Sequence, residues 1–206
     1  MFSMLLATTF VSSQALREGN FVIDPYYGFP NFGKSAMKSL EEPGAQSSVG
    51  GLGPWGLRME YMLGDQFGLT LDGIHNSTNI TSVYQPDFIT DENGNSVPNN
   101  QGVEYEDRAS MNRIRVQVGL NYHFGFSNRM LDGYVGFAAG TNARYWSIST
   151  TNPDSGFEDE AESGALFPVS MRLRLGGRYY FTDNLGLNFE LGLGGPVISA
   201  GLSIKI

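Results

Sequence analysis

The groups best able to do chemistry in this sequence are arginines and carboxylates that recur at alternate positions. In "MRLRLGGRYYFT" (171–182), Arg172, Arg174 and Arg178 share one parity, and Leu173, Leu175, Tyr179 and Phe181 share the other. Guanidiniums stay charged at neutral pH and present a fork of donors, so their chemistry is the binding of oxyanions rather than proton transfer. Nucleophilic catalysis needs a nucleophile beside an oriented base, and the chain offers no Cys and only 2 His. His75 has Asp72 three positions before it and Ser77 two after it, the residue types of a hydrolase or acyltransferase. On an extended strand Asp72 and His75 point to opposite faces, which argues against a triad. His123 shares a parity with nearby arginines beside a short turn and reads as a hydrogen-bonded residue.

Metal chemistry finds little support. Two His are a poor basis for a transition-metal site, and the lack of Cys removes thiolate sites, disulfides and a cysteine nucleophile. "DENGNS" (91–96) opens like a calcium loop, but Ser96 stands where the loop needs Gly and Gly102 where it needs Glu. It reads as a solvated turn, and "FEDEAES" (157–163) and "EYED" (104–107) read as acidic loop segments. No cofactor and no metal are expected.

The elements that would position the charges are strands, because the alternation has a period of two. Eight segments share it: 20–29, 55–63, from Phe67 through about Thr78, 111–124, 134–146, 171–182, 185–194 and 196–206. In "MNRIRVQVGLNYHF" (111–124), Ile114, Val116, Val118, Leu120, Tyr122 and Phe124 alternate with Arg113, Arg115, Gln117, Gly119, Asn121 and His123. No segment has a long helical period, so neighbouring strands are expected to be antiparallel. Short connections follow the second, fourth and sixth strands ("GDQ", "GFSNRM", "TDN"). Long ones follow the first, third and fifth: Pro30 to Gly53, about Tyr84 to Ser110, and Ser149 to Phe167.

Alternation alone does not say which face meets water, since a soluble ligand-binding barrel shows it too. Three features point to an inverted barrel with its apolar face in lipid. Rings gather beside the short turns (Tyr61, Phe67, Tyr122, Phe124, Phe126, Tyr179, Phe181), as in an interfacial aromatic girdle. Repeated Gly on the charged parity leaves room for long side chains in a narrow interior. Strands of about 9–11 residues suffice to cross a bilayer with tilt. The fold class expected is all-β: an eight-stranded antiparallel up-and-down transmembrane β-barrel.

On that reading the interior carries Arg58, Arg113, Arg115, Arg144, Arg172, Arg174, Arg178 and Lys205, against Asp24, Glu60, Asp72 and Glu190. The interior is then net basic under an acidic outer rim, in a chain of net charge −8 that argues against nucleic-acid binding. Buried arginine needs a partner, and Glu60, Asp72 and Glu190 are the carboxylates placed to supply one. Eight strands enclose a space that side chains can fill, so a plugged lumen is expected rather than an open channel. At the N-terminus, an apolar run from Phe2 to Val11 precedes Ser13-Gln14-Ala15, the pattern of an exported chain cleaved after small residues, although no Lys or Arg precedes the run. A signal peptide over 1–15 and a barrel domain over 16–206 are expected.

Three stretches carry a family resemblance: "FVIDPYYGFPNFG" (21–33), "LDGYVGFAAG" (131–140) and "ELGLGGPVISAGLSIKI" (190–206). With them the chain resembles the small OmpA/OmpX-like outer-membrane β-barrel proteins, in particular those of the Bacteroidota type. It departs from the proteobacterial pattern in ending on Ile206 rather than an aromatic residue. The resemblance implies a bacterial outer-membrane location with a periplasmic N-terminus. It also implies contact with outer-membrane lipid and lipopolysaccharide, and a structural or surface-interaction role in which the long loops meet a surface ligand or protein. A lipid A-modifying barrel enzyme and a narrow pore are the alternatives; an enzyme is not expected.

Overall fold

The computed structural model describes residues 14–39, 46–91, 94–153, 160–164 and 168–206. The apolar run of the expected signal peptide lies outside them. In chain order the elements are β1 (Phe21–Phe29), α1 (Phe32–Lys38), β2 (Ser47–Gly50), β3 (Trp55–Met62), β4 (Phe67–Tyr84), β5 (Phe88–Thr90), β6 (Ser96–Pro98) and β7 (Tyr105–Phe124). They continue with β8 (Leu131–Thr141), β9 (Ala143–Thr150), β10 (Glu160–Ser163), β11 (Val169–Tyr180), β12 (Leu185–Leu193) and β13 (Ile198–Lys205).

Antiparallel pairing runs β1–β3–β4–β7–β8–β11–β12–β13 and returns from β13 to β1, closing an eight-stranded barrel. The seam is held by pairs such as Tyr27↔Ala200 and Val22↔Lys205. Closure leaves no barrel strand with an unpaired edge, the condition for a sheet surrounded by hydrocarbon. β9 continues β8 in the same register against β7, so the two form one long strand interrupted at Asn142.

The two parities separate cleanly. On β3 and β4, Leu57, Leu69 and Leu71 point outward and are exposed, whereas Arg58, Glu60, Thr70 and Asp72 are buried. β11 repeats this, with Leu173 54% and Leu175 53% exposed beside Arg172 and Arg174 at 1% and 2%. A water-soluble sheet would show the reverse. The rings beside the short turns are exposed in a band, and Phe67 and Tyr122 meet edge to face with centroids 5.4 Å apart.

Four sequence expectations are corrected. The third strand runs to Tyr84, beyond Thr78, and the fourth begins at Tyr105, so the long connection assigned to Tyr84–Ser110 is partly strand. The fifth starts at Leu131 rather than Tyr134 and extends as β9 to Thr150. The sixth starts two residues before Met171, at Val169. The first long connection contains the seven-residue helix α1 and strand β2. Of "DENGNS", Asp91, Gly94 and Asn95 lie at the tip of the β5–β6 hairpin, where Asn95 N–H donates to Asp91 Oδ1 at 2.8 Å, and Glu92 and Asn93 lie outside the described residues.

The short-turn end is closed by apolar side chains: Ala15 and Leu16 pack with Val22, Met62 and Tyr180. The chain entering there is tethered, because Lys205 Nζ donates to Ala15 O at 2.9 Å.

Candidate functional site

Inward parity on seven of the eight barrel strands supplies one connected cluster of charge. Asp24 comes from β1, Arg58 and Glu60 from β3, Asp72 from β4, His123 from β7, Asp132 and Tyr134 from β8, Arg172, Arg174 and Arg178 from β11, and Glu190 from β12. Arg178 lies at its centre. Its Nη2 reaches Asp24 Oδ2 at 2.7 Å and Glu60 Oε2 at 2.5 Å, and its Nη1 reaches Asp132 Oδ2 at 2.8 Å. Its guanidinium also lies over the Tyr134 ring, 4.6 Å from the centroid. Arg58 pairs with Asp24 at 3.2 Å and with Glu190, and donates to Tyr134 Oη at 2.9 Å. Arg172 bridges Glu190 Oε1 at 2.5 Å and Asp72 Oδ2 at 3.2 Å. Arg174 joins Asp72 at 3.4 Å and donates to Asn121 Oδ1 at 2.8 Å.

Tyrosines complete the second coordination of the carboxylates. Tyr26 Oη donates to Asp72 Oδ1 at 2.7 Å while accepting from Arg172 Nη1 at 3.0 Å. Tyr134 Oη donates to Glu190 Oε2 at 2.9 Å. His123 places Nδ1 2.8 Å from Asp132 Oδ1 and Nε2 2.9 Å from Glu60 Oε1. Two carboxylates on the two ring nitrogens are both satisfied only by the imidazolium, in which both nitrogens donate. Four guanidiniums and that ring then balance Asp24, Glu60, Asp72, Asp132 and Glu190. Glycine makes the space: a Cβ at Gly136 would collide with Asn121 and with Arg174, and one at Gly176 with the Tyr134 ring. The lumen is filled, with Arg58, Arg172, Arg178, Tyr134 and Tyr180 all fully buried.

Of the residues singled out from sequence, the structure brings Arg58, Glu60, Asp72, Arg172, Arg174, Arg178 and Glu190 together. It places four others elsewhere. Lys205 lies at the closed base, bonded to Ala15 O and over the Tyr180 ring at 4.9 Å. Arg113, Arg115 and Arg144 lie towards the long-loop end, and among the described residues none of them pairs with a carboxylate. Arg113 Nε donates to Asn142 Oδ1 at 2.7 Å and Arg115 Nη1 to Gly194 O at 3.1 Å. These three line a mouth pocket of about 320 Å³ with Asn76, Trp146 and Phe32. Above it the β4–β7 ladder continues to Tyr84↔Tyr105, and Asn31 anchors the first connection by donating to Leu52 O and Ser77 O.

Sequence reasoning omitted Asp132, Tyr26 and Tyr134 from the cluster and did not count Asp24 among the arginine partners. Parity was the available signal for each. His75 faces outward against Trp55, with ring centroids 5.6 Å apart, on the opposite face from Asp72.

No protein-family model matches the chain, and no curated protein matches it. Among solved structures the chain is similar to the N-terminal β-barrel domain of Pseudomonas aeruginosa OprF, at 15% identity and a TM-score of 0.43, covering 93% of this chain and 100% of that one. It is similar to Ail, the attachment invasion locus protein of Yersinia pestis, at 14% identity and a TM-score of 0.41, covering 91% and 95%. It is also similar to the outer membrane protein OprG of P. aeruginosa, at 11% identity and a TM-score of 0.44, covering 92% and 97%. At this distance the likenesses add nothing to the strand pairing described above.

Proposed function

We propose that the chain is a bacterial outer-membrane β-barrel protein with a structural or surface-interaction role, its partners meeting the loops at the open end. The observation that carries this reading is the inversion of the two faces: a closed wall of exposed Leu, Ile, Val and Phe around a buried, ion-paired lumen. Such a wall is stable only against hydrocarbon, and among membrane-spanning sheets only the closed barrel satisfies its backbone there. The assignment to the Bacteroidota type rests on the three stretches quoted above.

A plugged, non-enzymatic barrel fits the interior. The ion-paired side chains occupy the cross-section, and His123 is held between two carboxylates rather than beside a nucleophile. The β4–β7–β9 ladder rising past the mouth, with the β5–β6 hairpin at its tip, supplies surface for a ligand or protein partner and for contact with lipopolysaccharide.

Fractionation is the test. The protein is expected in the outer-membrane fraction with heat-modifiable gel migration, and a chain soluble without detergent overturns the reading. Planar-bilayer recording is expected to show no steady conductance. The lipid A mass spectrum is expected to be unchanged on expression; a modified profile would favour the enzyme alternative.

A further inference from the structure

The three arginines at the mouth are not used by the lumen cluster. We propose that they form a binding site for a phosphorylated sugar entering from the loop side. Arg113 and Arg144 are directly opposed in the β7–β9 register, and Arg115 is the next inward residue on β7. Like charges facing each other across a strand pair are destabilising. Among the described residues their hydrogen-bond acceptors are neutral, the Asn142 amide oxygen and the Gly194 carbonyl, and no carboxylate pairs with them. Arg115 Nε and Arg144 Nε are buried without a hydrogen-bond partner. A cluster of this kind is completed by an anion, and guanidinium forks match the oxygens of a phosphoryl group.

The rest of the pocket selects more than an ion. Its volume of about 320 Å³ lies at the lower end of the range for small-molecule sites. Trp146 and Phe32 offer aromatic faces on which the C–H face of a sugar ring can stack. Asn76, buried in the same wall, has an Oδ1 without a donor. A phosphate dianion cannot supply that donor, whereas a sugar hydroxyl can. Only the side on which the pocket faces rests on the outer-membrane reading; the pocket itself does not.

The chain has 2 Trp, and Trp55 lies on the outer wall, so Trp55→Phe leaves Trp146 as the sole reporter of the pocket. The folded barrel with this substitution, in zwitterionic micelles, is titrated with glucose 6-phosphate, inorganic phosphate and glucose. Saturable change in Trp146 emission is expected with glucose 6-phosphate, roughly tenfold weaker with inorganic phosphate and absent with glucose. Arg113→Gln with Arg144→Gln is expected to weaken binding by about a hundredfold, and added salt to weaken it progressively. Heat-modifiable migration checks that this variant is folded. No saturable response to glucose 6-phosphate, equal affinity for inorganic phosphate, or undiminished binding by the double variant overturns the proposal. An unresponsive barrel leaves the outer-membrane reading intact, whereas solubility without detergent overturns that reading and not this one. Phosphatidylcholine vesicles carrying phosphorylated lipopolysaccharide form a second arm. A response there that soluble glucose 6-phosphate competes away supports the site with a glycolipid source, and a response to the soluble sugar alone supports it with a free one.

Discussion

In the middle and lower lumen, four arginines and a histidine meet five carboxylates; at the mouth, three arginines meet none among the described residues. The residue type, the inward parity and the enclosing wall are the same in both places. The difference lies in what faces them: Arg178 looks across at Asp24, Glu60 and Asp132, whereas Arg113 looks across at Arg144. The lower cluster balances its charges within the chain, as a structural plug should. The upper one has no carboxylate partner among the described residues, which is why we assign it a ligand. Position on the correct face is therefore not enough to assign a charged residue to the plug.

The comparison breaks most sharply at Arg178. Replacing it with Leu takes one cationic partner from each of three buried carboxylates, and about 3–5 kcal/mol of stability is expected to be lost on removing one partner from such a site. Denaturant unfolding in micelles would show it, and an unchanged midpoint would mean that the cluster does not brace the barrel. Leu173→Arg puts a charge on the opposite face of the same strand, where lipid replaces carboxylate, and should cost about 2–4 kcal/mol near the bilayer midplane. Gly136→Leu keeps every charge but drives a side chain into Asn121 and Arg174; overpacking of this kind costs about 1–3 kcal/mol. Smallest, and opposite in sign, is Arg144→Gln. Relieving an opposed like-charge pair should raise stability by up to about 1 kcal/mol in phosphate-free, low-salt buffer, and a loss of stability there would equate the mouth with the plug.

Much of the lower cluster was legible because a period of two fixes the face of every residue in a strand once one residue is placed. Arg58, Glu60, Asp72, Arg172, Arg174, Arg178 and Glu190 all follow from that parity. Asp132 was missed because the fifth strand was started at Tyr134, three residues too late. Tyr26 was overlooked because tyrosine suits either face of a barrel, the wet interior or the interface. What parity cannot provide is height along the barrel axis. That depends on the stagger between strands, so the arginines of the plug and of the mouth looked alike, and Lys205 was counted with the same interior charges.

The ends of β4 and β7 were lost for a different reason. In "NITSVY" (79–84) and "YEDRAS" (105–110), both faces meet water above the wall, so the apolar half of the pattern fades although the ladder continues. Alternation marks the part of a strand that borders two solvents. Where there is one solvent, a strand resembles a loop.

Asp24, on the first strand, is held by Arg178 and by Ser203 on the last, partners 154 and 179 residues away in the chain. No early fragment of the chain can assemble the plug. Contacts this distant in sequence form slowly, because loop closure must precede the interactions that reward it. Until β13 meets β1, the carboxylate of Asp24 has only part of its coordination, and Ala15 lacks its tie to Lys205. Zipping of the seam and neutralisation of the interior are thus a single cooperative event, and the barrel should form late and all at once rather than strand by strand.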